Sequence, residues 1–142
     1  MLRALDEAYE KHSFHGPNLK GSLRGVTPRQ AGFRPGPARH SVRELVLHAA
    51  YWKYTVWRRL TGVKRGSFPL AGSNFFDRPG TPSAAEWRQD RALLDAQHRQ
   101  LRAAVAALRK APVPSLARQI LGIASHDIYH AGQIQLLKRL QR

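Results

Sequence analysis

Four stretches of the chain place apolar residues at helical spacing, and none alternates apolar with polar residues as a half-buried strand does. The first runs from about Leu2 to His12 and meets Gly16-Pro17, which breaks or kinks a helix. The pattern resumes from Asn18 to Leu23. Residues 24–40, with FRPGP among them, read as a loop. The second helix begins at Ser41, where Ser41-x-x-Glu44 forms a capping box, and ends at Gly62 as its C′ residue. Its apolar stripe is Leu45, Ala49, Trp52, Val56 and Leu60, with His48 at the edge of that stripe. Residues 62–82 form a long loop, of the length that carries function or a crossover. A second capping box, Ser83-x-x-Glu86, opens the third helix, which bears Trp87, Leu94, Leu101, Val105 and Leu108 on one face. The short connection KAPVP predicts that helices three and four are antiparallel neighbours. Ser115 caps the fourth helix, which runs close to the end of the chain. There Ile120, Ile123, Ile134 and Leu137 flank one side of a histidine pair, and Tyr129, Leu136 and Leu140 the other. That broad arc is expected to face the core. The pattern predicts an all-α fold, a four-helix bundle, as a single domain over residues 1–142. The long loop before the third helix leaves room for a parallel crossover.

The histidines add chemistry to this frame. His126 and His130, in HDIYH, stand on one helix face with Cβ atoms about 6 Å apart, so both can reach one ion. His48 occupies a comparable place on the second helix. Three neutral imidazoles converging inside a bundle make a metal site with an open position for water or substrate. HxxxH alone is a weak signal, because a histidine on an apolar face is more often a satisfied interior residue. Three buried together without partners are costly, and one divalent ion satisfies all three lone pairs. Zinc is the default, as it needs no redox partner; nickel, iron and copper suit the same donors. His98, between Leu94 and Leu101, reads as a hydrogen-bonded core histidine rather than a fourth ligand. His15, in HGP, lines the mouth of the site as an acid or base, or else caps a loop. Asp127 or Glu44 orients a ligand imidazole, or is an ordinary helix carboxylate paired with arginine. Asn74, in GSNFF, lines the pocket or shapes a turn. Trp52, Trp57 and Trp87 are packing residues.

Composition narrows the classes. The formal net charge is +15, and arginine supplies 18 of the 24 basic residues. The basic residues are spread over every segment with no block of like charge and no nucleic-acid-binding motif, so charge alone supports only weak, nonspecific nucleic-acid binding. It equally attracts anionic small substrates. No cysteine is present, which removes disulfides, thiolate ligands and a cysteine nucleophile and is compatible with a reducing cytoplasm. The N-terminal MLRALDEAYEKH has no signal-peptide pattern, and the longest apolar run, LVLHAAYW, is too short to span a bilayer. No P-loop, Ser-His-Asp order or dinucleotide fingerprint occurs.

HAAYWKY in the second helix and GIASHDIYHAGQIQLLKRL in the fourth resemble the DinB/YfiT-like superfamily of metalloenzymes. HSFHGPNLKGSL and the GSNFF loop are similar too, so the resemblance spans essentially the whole chain. It implies an up-down-down-up four-helix bundle and a three-histidine metal site, with His48, His126 and His130 at the matching positions. It also implies a thiol-dependent transferase or isomerase, or a metal-dependent hydrolase; some members are DNA-damage-inducible. The leading expectation is a metal-dependent enzyme, transferase-like or hydrolase-like, acting on a small molecule. Without a cysteine in the chain, any thiol nucleophile would be a low-molecular-weight cosubstrate. The alternative is a basic, nucleic-acid-associated DNA-damage or stress-response protein without catalysis. A homodimer is the expected assembly.

Overall fold

Six helices and no strand make up the computed structural model, which describes residues 1–142: α1 (Leu2–Tyr9), α2 (Leu19–Ser22), α3 (Pro28–Gly32), α4 (Val42–Thr61), α5 (Ala84–Ala106) and α6 (Pro114–Arg139). α4 packs against both α5 and α6, and α1 against α6 and α5. The two short helices brace this frame, α2 on α6 and α3 across α4 and α5.

The strongest local signals hold. Ser41 and Ser83 each accept from the backbone N–H three residues on, while Glu44 and Glu86 reach back to the N-cap amides. Gly62 ends α4 with φ 75°, a left-handed conformation that a Cβ would oppose. The weaker boundaries differ. The first helix stops at Tyr9 rather than near His12, and the resumed segment is one turn capped by Asn18. Residues 24–40 contain α3, whose capping box Thr27-x-x-Gln30, with Pro28 at the first helical position, is a start signal hidden by the surrounding glycines and prolines. Gly32 in α3 lets the backbone of Gly80 approach closely; a Cβ there would lie 2.3 Å from the Gly80 carbonyl oxygen. α6 begins at Pro114 with Val113 as N-cap and no capping side chain, so Ser115 does not cap it. Proline is preorganised for the first helical position, which pulls the start two residues upstream, from a cap at Ser115 to one at Val113. Leu108 falls beyond the end of α5 and is half-buried.

Two tertiary expectations are corrected. α5 and α6 share no substantial interface although residues 107–113 alone connect them; each packs on α4 and α1 instead. The arc around the histidine pair is not wholly internal. Ile120, Ile123, Ile134 and Leu137 are buried, but Tyr129, Leu136 and Leu140 are 63%, 59% and 56% exposed. A helix can bury only the sector its neighbours cover, and those three residues lie outside it.

The core is in two parts. A cluster of 14 buried residues includes Tyr9, Leu45, Ala49, Leu94 and Ile134; a second, of 6, holds Leu5, Val56, Leu101, Val105, Ile120 and Ile123. Between them on α4, α5 and α6 come Lys53, His98 and Asp127, all buried. Lys53 Nζ donates to Asp127 Oδ2, lies 3.4 Å from His98 Nδ1, and sits over the Tyr9 ring 4.9 Å from its centroid. Burial drives the lysine pKa down and the carboxyl pKa up, each opposed by the other's charge. A polar layer thus divides the apolar interior and joins α4 to α6. No helix is long and apolar enough to cross a membrane.

Candidate metal centre

His48 enters from the first half of α4, and His126 and His130 from successive turns of α6, the helix that packs on it. One ring nitrogen from each lies within 4.8 Å of the others. His126 Nε2 is 2.9 Å from His48 Nε2 and 3.0 Å from His130 Nε2. Those separations approach the roughly 3.3 Å edge of a tetrahedron built on bonds of about 2 Å.

For two of the rings the far side decides which nitrogen carries the lone pair; the far nitrogen of the third, His126 Nδ1, is buried without a hydrogen-bond partner. His48 Nδ1–H donates to the backbone carbonyl of Asn74 at 2.9 Å, and His130 Nδ1–H donates to Gln133 Oε1 at 2.6 Å. A carbonyl oxygen can only accept, so both rings hold their proton on Nδ1 and turn a bare Nε2 inward. Burial is the main cause of the low basicity of all three. It brings His48 down to about 4 and His126 to about 3, and lowers His130 from its usual value. The hydrogen bonds to Asn74 and Gln133 oppose the shift without overturning it. The His48 and His130 lone pairs both face His126 Nε2, which can answer only one of them with a proton, whereas a cation among the rings satisfies all three. That donor set fits a divalent metal.

Loop residues complete the walls. Phe75 stacks on His48 with ring centroids 3.9 Å apart, and His40 stacks on the other side of Phe75 at 3.7 Å. Asn74 takes φ 63°, which asparagine tolerates better than most residues, and its Oδ1 accepts from the Trp52 indole N–H at 3.0 Å. The turn therefore presents the Asn74 carbonyl to His48. A cavity of about 730 Å³ opens onto the three imidazoles, and its lining includes Arg39, His40, Tyr129, Gln133, Leu136 and Leu140.

Other residues singled out by sequence lie elsewhere. Asp127 does not touch a ligand imidazole; it turns inward to Lys53. One helical residue separates about 100° of direction, so the neighbour of His126 faces the core rather than the site. Glu44 is the α4 capping carboxylate and also takes hydrogen bonds from Arg34 and the Arg78 amide. Burial raises its pKa, but those bonds bring it below the ordinary carboxylate range. It staples two loops to α4 and contacts no ligand ring. His15 is exposed and does not line the cavity. His98 is buried, stacked on Tyr9 at 3.7 Å, and belongs to the polar layer. Gln133, Phe75, His40 and Arg39 are site residues that sequence reasoning missed. For Gln133 a signal existed, an amide three residues after His130 on one face. The others arrive on loops, where periodicity says nothing.

The family model of the DinB superfamily matches residues 14–134. The chain belongs to the DinB superfamily. All three imidazole positions fall inside the matched span. The chain matches no curated protein and no solved structure.

Proposed function

We propose that this DinB-superfamily protein is a metal-dependent enzyme that holds one divalent transition metal through His48, His126 and His130 and acts on a small molecule. The observation that carries the reading is the pair of Nδ1–H donations to Asn74 and Gln133, which leaves the Nε2 lone pairs aimed at one point at the end of a cavity. Zinc is the first choice, with nickel, iron and copper compatible with three imidazoles. Such an ion supplies Lewis-acid activation of a bound water or thiol at near-neutral pH. The protein's own part is to keep the three imidazoles neutral, fix two of their tautomers and shield one face of His48 with Phe75. The titratable cavity side chains beyond the three histidines and Arg39 are His40 and Tyr129. Family membership favours transfer of a low-molecular-weight thiol or hydrolysis, in the cytoplasm.

Elemental analysis of protein purified without chelator or affinity tag tests the metal. About one equivalent of a divalent transition metal is expected, lost in His126→Ala and His130→Ala and kept in His98→Ala. Retention of metal by both ligand variants would sink the reading. For the reaction, metal-loaded protein should conjugate a small thiol to an electrophile faster than His130→Ala. If the thiol neither changes the spectrum of the Co²⁺-substituted protein nor reacts, transfer is wrong and hydrolysis takes precedence.

A nucleic-acid-associated role without catalysis draws on the +15 charge, and a homodimer on the outer face of α6, where Leu121 and Ile128 are 45% and 39% exposed.

A further inference from the structure

The walls of the cavity are more apolar than the fold requires. Tyr129, Leu136 and Leu140 are each more than half exposed, yet all three line the same concavity, together with Leu45 and Leu137. A lone exposed leucine needs no explanation, but several on one concave wall form a binding surface. Tyr129, Leu136 and Leu137 stand on a stretch of α6 from 119 to 137 whose single charged residue, Asp127, is buried, while Leu140 is the C-cap residue of that helix and Leu45 comes from α4.

The charge of the lining is one-sided. No carboxylate lines the cavity, and Arg39 is its one permanently charged side chain. Arg39 is exposed and forms no ion pair. Arg34, five residues earlier on the same loop, is held by both Glu44 and Asp77. One guanidinium is thus committed to the fold and the other is free at the cavity. A guanidinium fork matches a carboxylate bidentately, and the positive protein draws anions toward it.

We infer that the cavity selects an amphiphilic monoanion: an alkyl or aryl body lies along Leu136 and Leu140, and a carboxylate meets Arg39. This rests on the reading of the cavity as the substrate site of the metal centre, and it names the substrate class that site takes.

Calorimetric titration of alkyl carboxylates into metal-free and zinc-loaded protein tests it. Affinity should rise from butanoate to decanoate by about fourfold for each methylene that reaches the wall. Decylammonium should bind about tenfold more weakly than decanoate or worse. Arg39→Glu and Leu136→Asp should each weaken decanoate by about five- to tenfold. Leu136 is exposed, so its replacement leaves core packing alone, and an unchanged melting temperature verifies this. Arg29→Glu on α3, outside the cavity lining, makes the same change in net charge and should leave decanoate binding intact. Equal binding of decylammonium, no dependence on chain length, or equal losses in Arg29→Glu and Arg39→Glu would each overturn the inference. Zinc that is not retained while decanoate still binds would sink the metal reading and leave the cavity preference standing. Zinc retained without decanoate binding would sink the cavity preference alone.

Discussion

Gln133 is the clearest residue-scale lever on the site. Its side-chain oxygen holds the His130 Nδ1–H, while its amide nitrogen donates to the Tyr129 hydroxyl at 3.3 Å. Gln133→Leu removes the acceptor but keeps the bulk. Metal affinity should fall about 10- to 100-fold with little change in melting temperature, as read by competition with a chromophoric chelator; unchanged affinity would deny Gln133 its orienting role. His98 gives a pH prediction. Burial is the first cause that lowers its pKa to about 3, with the Lys53 charge adding to it. Because the folded value lies below the unfolded value of about 6.5, its contribution to stability is complete above that pH and is lost as pH falls toward the folded value. About 1–2 kcal/mol should be gone by pH 5. Asp127, whose pKa is raised, acts in the opposite sense over part of that range, so the test is a difference. Denaturant unfolding of His98→Leu should show a flatter decline from pH 7.5 to 5 than the parent protein. An identical slope would count against it. Sequence placed His98 correctly as an interior residue, since Leu94 and Leu101 bracket it on one face. It could not name Lys53 and Tyr9 as companions, because they come from other helices.

At the scale of elements, the polar layer makes α4 and α6 a unit. Lys53 and Asp127 are both fully inaccessible. Removing one partner leaves a buried charge uncompensated, so Lys53→Met should cost about 3–5 kcal/mol of unfolding free energy. The double variant Lys53→Met/Asp127→Leu should return close to the parent, since replacing a whole buried pair by apolar groups is often neutral. A single variant as stable as the parent in denaturant titration would show that the pair is dispensable. The same elements show why boundaries were unevenly legible. Ser41-x-x-Glu44 and Ser83-x-x-Glu86 are local contacts within one turn, so sequence suffices. α6 begins instead on Pro114 without a capping side chain, and a serine nearby misdirects the reading.

Over the whole molecule, charge acts without a dedicated surface. Of the 24 basic residues, several are tied to the few carboxylates: Arg43 to Asp90 and Glu86, Arg102 to Asp6, Arg34 to Glu44 and Asp77. The remaining excess is spread widely. Binding to nucleic acid should therefore be weak, indifferent to sequence, and reduced about 10³-fold or more between roughly 50 and 200 mM salt if six or more phosphates are contacted. Fluorescence anisotropy with two unrelated oligonucleotides measures this. Tight, sequence-selective binding at physiological salt would move the basic surface to the centre of the protein's function.

Helical periodicity, serine–glutamate capping boxes and the i, i+4 histidine spacing are properties of neighbours in the chain, and through them the sequence by itself determined the all-α fold, α4, α5 and the His126–His130 pair. The absence of cysteine likewise determined that any thiol must come from outside. The tertiary structure alone decided what depends on groups distant along the chain. It placed Asn74 and Gln133 behind the histidines, turned Asp127 to Lys53, separated α5 from α6, and left Tyr129, Leu136 and Leu140 on a cavity wall. The reason is geometric. A helix presents its whole circumference to the sequence pattern, but only the packing of α1, α2 and α4 around α6 settles which sector is core and which is left for a ligand.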